Sequence, residues 1–209
     1  MSQRSVTTLK PRMPIAIVRL DNLDNALEIS GALLEGGVDT IEFTLTNAKA
    51  NEIITQVRHE FGDRLIVGAG TVLDGDMAQG SIDAGAQFLV TPILALDVIA
   101  RGKEHGIPVV CGAYTPTEIW TAWKAGATLV KVFPASQLGP TYFKDILAPL
   151  PDLQLVPTGG VNLQTCGAFL KAGAYSVAVG SQLVSKDIVN NKDWPGLAAL
   201  ARQYREACQ

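Results

Sequence analysis

Lys131 stands inside an apolar run, Ala127-Thr-Leu-Val-Lys131-Val-Phe-Pro134, and Glu42 stands inside a second, Thr40-Ile-Glu42-Phe43. An ionised group buried in such a run is costly unless it is paired or its pKa moves. For a lysine the move is downward, from ~10.4 toward ~7–8. An amine tuned in this way is the nucleophile that forms Schiff bases with carbonyl compounds. A carboxylate beside it supplies a proton acceptor and a charge partner, and imine chemistry needs both. Each residue also has a plainer use. The lysine head can reach solvent at a strand end, and Glu42 can form an ion pair with Lys131 or Arg19.

Two glycine-containing segments, Thr158-Gly159-Gly160 and Gly180-Ser181, are the next candidates. Glycine lets backbone N–H groups approach an anion closely, so the pair fits a phosphate. By contrast, His59 and His105 lie near predicted helix ends, where they complement the helix dipole. Two isolated histidines without a carboxylate cluster do not make a metal site, so no metal or other cofactor is expected. Gly68-Ala-Gly70 lacks the third glycine of a dinucleotide fingerprint. Trp120 and Trp123 share a helix face at i, i+3 spacing and read as packing residues.

These candidates need elements to position them. Short strand-like runs and helix-like segments alternate every ~20–25 residues. The strand-like runs are Ile15–Val18, Thr40–Phe43, Leu65–Val67, Phe88–Thr91, Val109–Cys111, Thr128–Val132, Leu155–Pro157 and Ser176–Val179. The helical patterns between them often end in glycine before the next strand, as at Gly106 and Gly126, which is the signature of a helix C-terminus. Eight such units predict a (β/α)8 barrel with short loops, a single domain over residues 1–209 in which residues 1–13 form an N-terminal extension. A doubly wound open sheet is the alternative. In a barrel the C-terminal strand ends share one mouth. Those ends carry Arg19, Glu42, Gly70-Thr71, Thr91-Pro92, Gly112, Lys131 with Phe133, Thr158 and Gly180. Barrels often bind phosphate after strands seven and eight, where the two glycine segments fall.

Composition narrows the partners. Apolar residues make up 47% of the 209, enough for a sizeable core, and the formal net charge is −3. Without a long basic run, nucleic acid is not expected as the main partner. No stretch approaches ~20 apolar residues, so no membrane-spanning helix is expected. Residues 1–13 carry Arg4, Lys10 and Arg12 but no apolar signal core. Cys111, Cys166 and Cys208 are odd in number and unpatterned, which fits a reducing cytoplasm and neither a disulfide framework nor a zinc site. Charged residues are only 18% of the chain, so part of the surface is expected to be neutral or shared with other subunits.

Ile41-Glu-Phe-Thr-Leu45, Gly68-Ala-Gly-Thr-Val72, Val90-Thr-Pro92, Tyr114-Thr-Pro-Thr-Glu-Ile119, Lys131-Val-Phe-Pro-Ala135, Pro157-Thr-Gly-Gly-Val161 and Val179-Gly-Ser181 follow one another in order. Together they resemble the class I KDPG/KHG aldolases, which cleave 2-keto-3-deoxy-6-phosphogluconate or 4-hydroxy-2-oxoglutarate. The resemblance runs from about Pro14 to the C-terminus. It implies that Lys131 is the Schiff-base lysine and Glu42 the general base and acid. It implies that Thr71, Pro92 and Phe133 line a pyruvate pocket, and that Thr158, Gly159, Gly160 and Ser181, with Gly180 beside it, hold the phosphate. It also implies a cytoplasmic homotrimer that needs no metal. Oxaloacetate decarboxylation is expected as a side activity of the same imine. The chain departs from the pattern twice. Thr46 stands where many relatives have arginine, leaving Arg19 as a candidate for the substrate carboxylate. Cys111-Gly112 stands where relatives often have Pro-Gly, and Cys111 is expected to pack. Other substrates remain open: 4-hydroxy-2-oxoglutarate itself, or the galactonate epimer. Other classes are a non-covalent phosphosugar isomerase or epimerase, and a non-catalytic phosphate-binding barrel.

Overall fold

The computed structural model describes residues 9–209, so Arg4 and most of the expected N-terminal extension lie outside the described residues. Eight parallel strands follow one another around a barrel in the order β7-β6-β5-β4-β3-β2-β1-β8. They are β1 (Ile15–Val18), β2 (Thr40–Thr44), β3 (Ile66–Gly70), β4 (Leu89–Val90), β5 (Val109–Ala113), β6 (Leu129–Val132), β7 (Leu155–Pro157) and β8 (Ala178–Val179). A parallel bridge between Thr158 and Ala178 joins β7 to β8 and closes the ring. A doubly wound open sheet does not have this neighbour order.

Strand alternation divides the apolar residues into two cores. The smaller lies inside the barrel and contains Ile15, Phe88, Val90, Val110, Leu129, Val156 and Ala178. The larger takes the outward neighbours, such as Ala16, Val109, Cys111 and Val130, against the surrounding helices. Inside, Phe88 needs room. A Cβ on Gly68 would lie 2.6 Å from its ring, so glycine on β3 is what admits the phenyl group. Residues 9–13, the described end of the expected extension, seal the barrel floor. Leu9 joins the interior cluster, and the Tyr175 hydroxyl donates to the Leu9 carbonyl at 2.8 Å. The Ser176 hydroxyl donates to the Met13 carbonyl.

Nine helices cover the described barrel. They are α1 (Ala26–Glu35), α2 (Ala50–Phe61), α3 (Gly75–Asp83), α4 (Leu96–His105), α5 (Pro116–Ala125), α6 (Gly139–Leu147), α7 (Cys166–Lys171), α8 (Lys186–Asn190) and α9 (Trp194–Ala207). The C-terminal glycine signature is met at Gly106 (φ 68°) and Gly126 (φ 109°), both left-handed. Asx turns precede two of the helices. Before α1, the Asn22 side chain accepts from the Asp24 N–H. Before α7, the Asn162 side chain accepts from Gln164 and Thr165 N–H. Such Asx turns capture donors that a helix would otherwise leave unpaired. Helix α8 is not anticipated by periodicity because it has only five residues. Its local signal is Ser185, whose side chain accepts from the Ile188 N–H as an N-cap. Trp123 packs on the core as expected, whereas Trp120 is 46% exposed, a departure from the packing expectation.

Candidate active site

The strand alternation that fills the barrel interior also builds the mouth. On β6, Leu129 points inward, so Lys131 does too, one step nearer the C-terminal end. On β2 the inward residues are Glu42 and Thr44. The same parity places Arg19 after β1, Gly70 on β3, Pro92 after β4, Thr158 after β7 and Gly180 after β8. A cavity of about 340 Å³ opens there. Its walls include every residue to which a substrate role was assigned: Lys131 and Phe133 from β6, Glu42 from β2, Arg19 and Thr71 and Pro92 from units one, three and four, and Thr158, Gly159, Gly160, Gly180 and Ser181 from units seven and eight, whereas Gly70, Thr91 and Gly112 at the strand ends are not in the wall.

Glu42 is 1% exposed and Lys131 is 6% exposed. Burial pushes the Glu42 carboxyl up from its ordinary value, against the pull of the Lys131 charge. Burial pushes the Lys131 ammonium down, opposed by Glu42 and assisted by Arg19. Among the described residues, no nitrogen–oxygen contact within 4.0 Å joins Glu42 to Lys131 or to Arg19. The structural ion pair is therefore absent, and a gap separates amine from carboxylate. The Lys131 Nζ instead lies 5.1 Å from the centroid of the Phe133 ring. Nor does the lysine head reach bulk solvent.

Glycine makes the seat of Glu42. A Cβ on Gly70 would lie 2.7 Å from Glu42 Oε1 and 2.9 Å from its Cδ, so any larger residue displaces the carboxylate. On β5, a Cβ on Gly112 would lie 2.4 Å from the Pro92 carbonyl carbon. That glycine lets the Pro92 backbone fold in against the barrel. Thr71 holds φ at 59°, an unusual state for a β-branched residue and a mark of stored strain at a site. Its neighbours are pinned: Val72 N–H donates to the Val90 carbonyl at 3.1 Å, and Leu45 N–H to the Gly70 carbonyl at 2.8 Å.

On the opposite wall, Thr158 Oγ1 is buried and has no hydrogen-bond partner. An unmet hydroxyl of this kind costs about 1–3 kcal/mol, a cost that a ligand's polar group removes. Gly159 (φ 87°) and Gly160 (φ 74°) turn the backbone next to it. Arg19 is exposed at the rim and makes no hydrogen bond or ion pair among the described residues. The arrangement supplies a desolvated amine, a separated carboxylate and a polar wall with unmet donors and acceptors.

Six lining residues were not among the expected site: Ile17, Thr44, Thr46, Val161, Ala178 and Gln182. Ile17 and Thr44 have the same inward parity as Arg19 and Glu42, so strict alternation reaches them. Thr46, Val161 and Gln182 lie in loops, where no periodicity applies. Cys111 stays out of the cavity. It points outward, is fully buried, and its sulfur meets Thr91 Oγ1 at 3.6 Å. All three cysteines are free. His59 and His105 sit in the last turns of α2 and α4. Among the described residues, no group of three His, Cys, Asp or Glu is placed to hold a metal ion, and no helix is long and apolar enough to cross a membrane.

A sequence model of the KDPG and KHG aldolases matches residues 6–200. The chain is 35% identical over 196 residues to the 2-dehydro-3-deoxy-6-phosphogalactonate aldolase of Escherichia coli K12, covering 93% of this chain and 96% of that one. It is also 35% identical to the 2-dehydro-3-deoxy-phosphogluconate aldolase of Treponema pallidum, covering 90% of each. Among solved structures, the KDPG aldolase of Legionella pneumophila superposes with a TM-score of 0.83 at 25% identity, covering 99% of this chain and 97% of that one. That structure holds pyruvate as a covalent carbinolamine intermediate.

Proposed function

The chain belongs to the KDPG and KHG aldolase family, a family of carbon–carbon lyases, and on that premise we propose that Lys131 and Glu42 perform its Schiff-base cleavage on 2-keto-3-deoxy-6-phosphogluconate. The observation that carries this assignment of residues is the buried, unpaired amine facing a separate buried carboxylate in one cavity. Lys131 Nζ attacks the C2 carbonyl, and the carbinolamine loses water to give a protonated imine. Glu42 takes the proton of the C4 hydroxyl. The C3–C4 bond breaks, its electron pair moves toward the imine nitrogen, and glyceraldehyde 3-phosphate leaves. The enamine is protonated at C3, and water then releases pyruvate and the free amine. Loss of CO2 from oxaloacetate is a side reaction open to the same imine.

In this reading Thr71 and Arg19 grip the keto-acid carboxylate, while Pro92 and Phe133 flank the pyruvate carbons. The phosphate lies against Thr158, Gly159, Gly160, Gly180 and Ser181. Charge-assisted hydrogen bonds of ~1.5–3 kcal/mol each add several kcal/mol there before losses. Thus kcat/KM for the phosphogluconate substrate is expected to exceed that for 4-hydroxy-2-oxoglutarate by at least about 10²-fold. Ser181→Asp, at an exposed wall position, should shrink that ratio by repelling phosphate. Gly160 is a poor probe, because a Cβ there would lie 2.5 Å from the Ser136 Cβ. Equal efficiency on both substrates, unmoved by Ser181→Asp, would transfer the assignment to 4-hydroxy-2-oxoglutarate. A second reading is favoured by the similarity to the phosphogalactonate enzyme. Here the galactonate epimer is preferred, and running both C4 epimers in the same assay separates the two.

The working form in this proposal is a cytoplasmic homotrimer. Supporting it, Leu73, Ile93, Leu96, Tyr114 and Trp120 are exposed large apolar residues on three consecutive units of the barrel. Exposed apolar residues gathered on neighbouring units fit a subunit interface. Light scattering of the purified protein is expected to give three times the chain mass, and Trp120→Asp to lower it. A monomer in solution removes the proposal.

A further inference from the structure

Thr91 follows the last residue of β4, is fully buried, and stands behind the cavity wall rather than in it. Its backbone N–H donates to the Val110 carbonyl at 3.1 Å and so extends the parallel ladder between β4 and β5. Regular continuation of that ladder would send the Gly112 N–H to the Thr91 carbonyl. It goes to the Thr91 hydroxyl instead, at 2.8 Å. The same hydroxyl donates to the Ile93 carbonyl at 2.6 Å. One side chain thus takes the place of the main chain in the ladder, with its single donor and one lone pair both used. The backbone is free to bend at Pro92, which has no N–H to leave unpaired.

The bend is packed tightly from the β5 side. A Cβ on Gly112 would lie 2.4 Å from the Pro92 carbonyl carbon and 2.5 Å from the Ile93 nitrogen. The Cys111 sulfur lies 3.6 Å from the Thr91 hydroxyl and 3.7 Å from the Ile93 carbonyl. Toward its other neighbour, Gly112 is the register partner of Lys131 on β6. The Phe133 N–H donates to the Ala113 carbonyl at 3.0 Å. Contacts therefore run from Pro92 through Thr91 and Gly112 to the strand that carries Lys131 and Phe133. Pro92, Lys131 and Phe133 all line the cavity. A methyl in place of the Thr91 hydroxyl would leave a buried N–H and a carbonyl unpaired, a loss that the segment relieves by shifting.

We infer that Thr91 is a positioning residue, whose buried hydroxyl holds Pro92 in fixed relation to Lys131. The inference rests on the aldolase reading above, in which Pro92 flanks the pyruvate carbons. Both cleavage substrates share that half, and so does pyruvate itself. A displaced Pro92 therefore weakens capture of every keto acid alike and does not distinguish one aldehyde half from another.

The test compares wild type, Thr91→Val and Thr91→Ser in three assays: borohydride capture of pyruvate, and cleavage of the phosphogluconate substrate and of 4-hydroxy-2-oxoglutarate. All are run at a temperature where circular dichroism shows each protein folded. Thr91→Val keeps the shape of the side chain and removes the hydroxyl. The capture rate and both kcat/KM values should fall together by about 10-fold or more, since misplacement by ~1 Å costs up to about 10²-fold. The ratio between the two cleavage substrates should stay within about twofold, a span smaller than one neutral hydrogen bond. Thr91→Ser, which keeps the hydroxyl, should restore most of the loss. A lowered melting temperature with unchanged capture overturns the inference, because Thr91 then only stabilises the fold. A loss confined to one cleavage substrate, or an equal loss in Thr91→Ser, overturns it as well. Should Thr91→Val not fold, Thr91→Ser decides: capture near the wild-type rate supports the hydroxyl clamp, and a large loss overturns it. Absence of capture in the wild type overturns the aldolase reading, and this inference with it.

Discussion

Lys131→Ala is expected to lose nearly all turnover and all covalent capture of pyruvate. Borohydride treatment of the wild-type protein with pyruvate should add one pyruvate-derived mass per chain, on the peptide that contains Lys131. The expectation follows from environment. Lys131 is 6% exposed, lies beside the Phe133 ring, and makes no ion pair among the described residues. Burial lowers its pKa, so the free amine is populated at lower pH than for an exposed lysine. The amine is the attacking form, so the trapping rate should rise with pH through the folded pKa of Lys131, which lies below 10.5. Lys131→Arg should not rescue, because a guanidinium does not deprotonate to a nucleophile. Labelling on another lysine, or none, would sink the assignment of the nucleophile. Circular dichroism should show both variants folded. A lysine buried without an ion-pair partner contributes little to stability, so its removal costs the fold little.

The second large effect is expected at Glu42. Glu42→Gln keeps the shape of the group over Gly70 but removes its basicity. Turnover should fall by about 10²–10⁴-fold, the range typical of a lost general base. Borohydride trapping of pyruvate should slow yet remain detectable, since amine attack does not require the C4 proton acceptor. The pH profile reports the same carboxylate. Burial raises the carboxyl pKa above 4.5, so in wild type the acid limb of kcat lies above that value. As pH falls through the raised pKa, the carboxylate is protonated and the base is lost. Glu42→Gln should remove that limb. Full turnover in the variant, with the limb intact, would reduce Glu42 to a packing role.

Much of this site was legible in the chain because strand alternation is a local rule. Once Leu129 is placed inward, Lys131 is inward as well, and Glu42 follows from Thr40 in the same way. The run of apolar residues around each charge is visible without knowing the fold, and so is the chemistry that burial imposes on an amine. Eight repeats of strand and helix, punctuated by glycine, allow little but a barrel or an open sheet. The ordered motifs pointed to one family, and the match over residues 6–200 agrees.

Other features needed the tertiary structure, because they depend on groups far apart in sequence. Closure of the ring rests on the Thr158–Ala178 bridge, which no local pattern encodes. The choice between an ion pair and a separated acid and amine depends on distances across the mouth, between residues on β2 and β6. The requirement for glycine at position 70 appears only when the Glu42 carboxylate is seen above it. Thr46 has no periodic neighbour, because it lies in a loop. Its place is set by Asn47 reaching the backbone of the preceding unit. The types of residue and their facing came from the sequence, through the two-residue repeat of extended backbone. Which of them meet, and at what distance, was decided by closure of the barrel, which brings eight strand ends to one mouth.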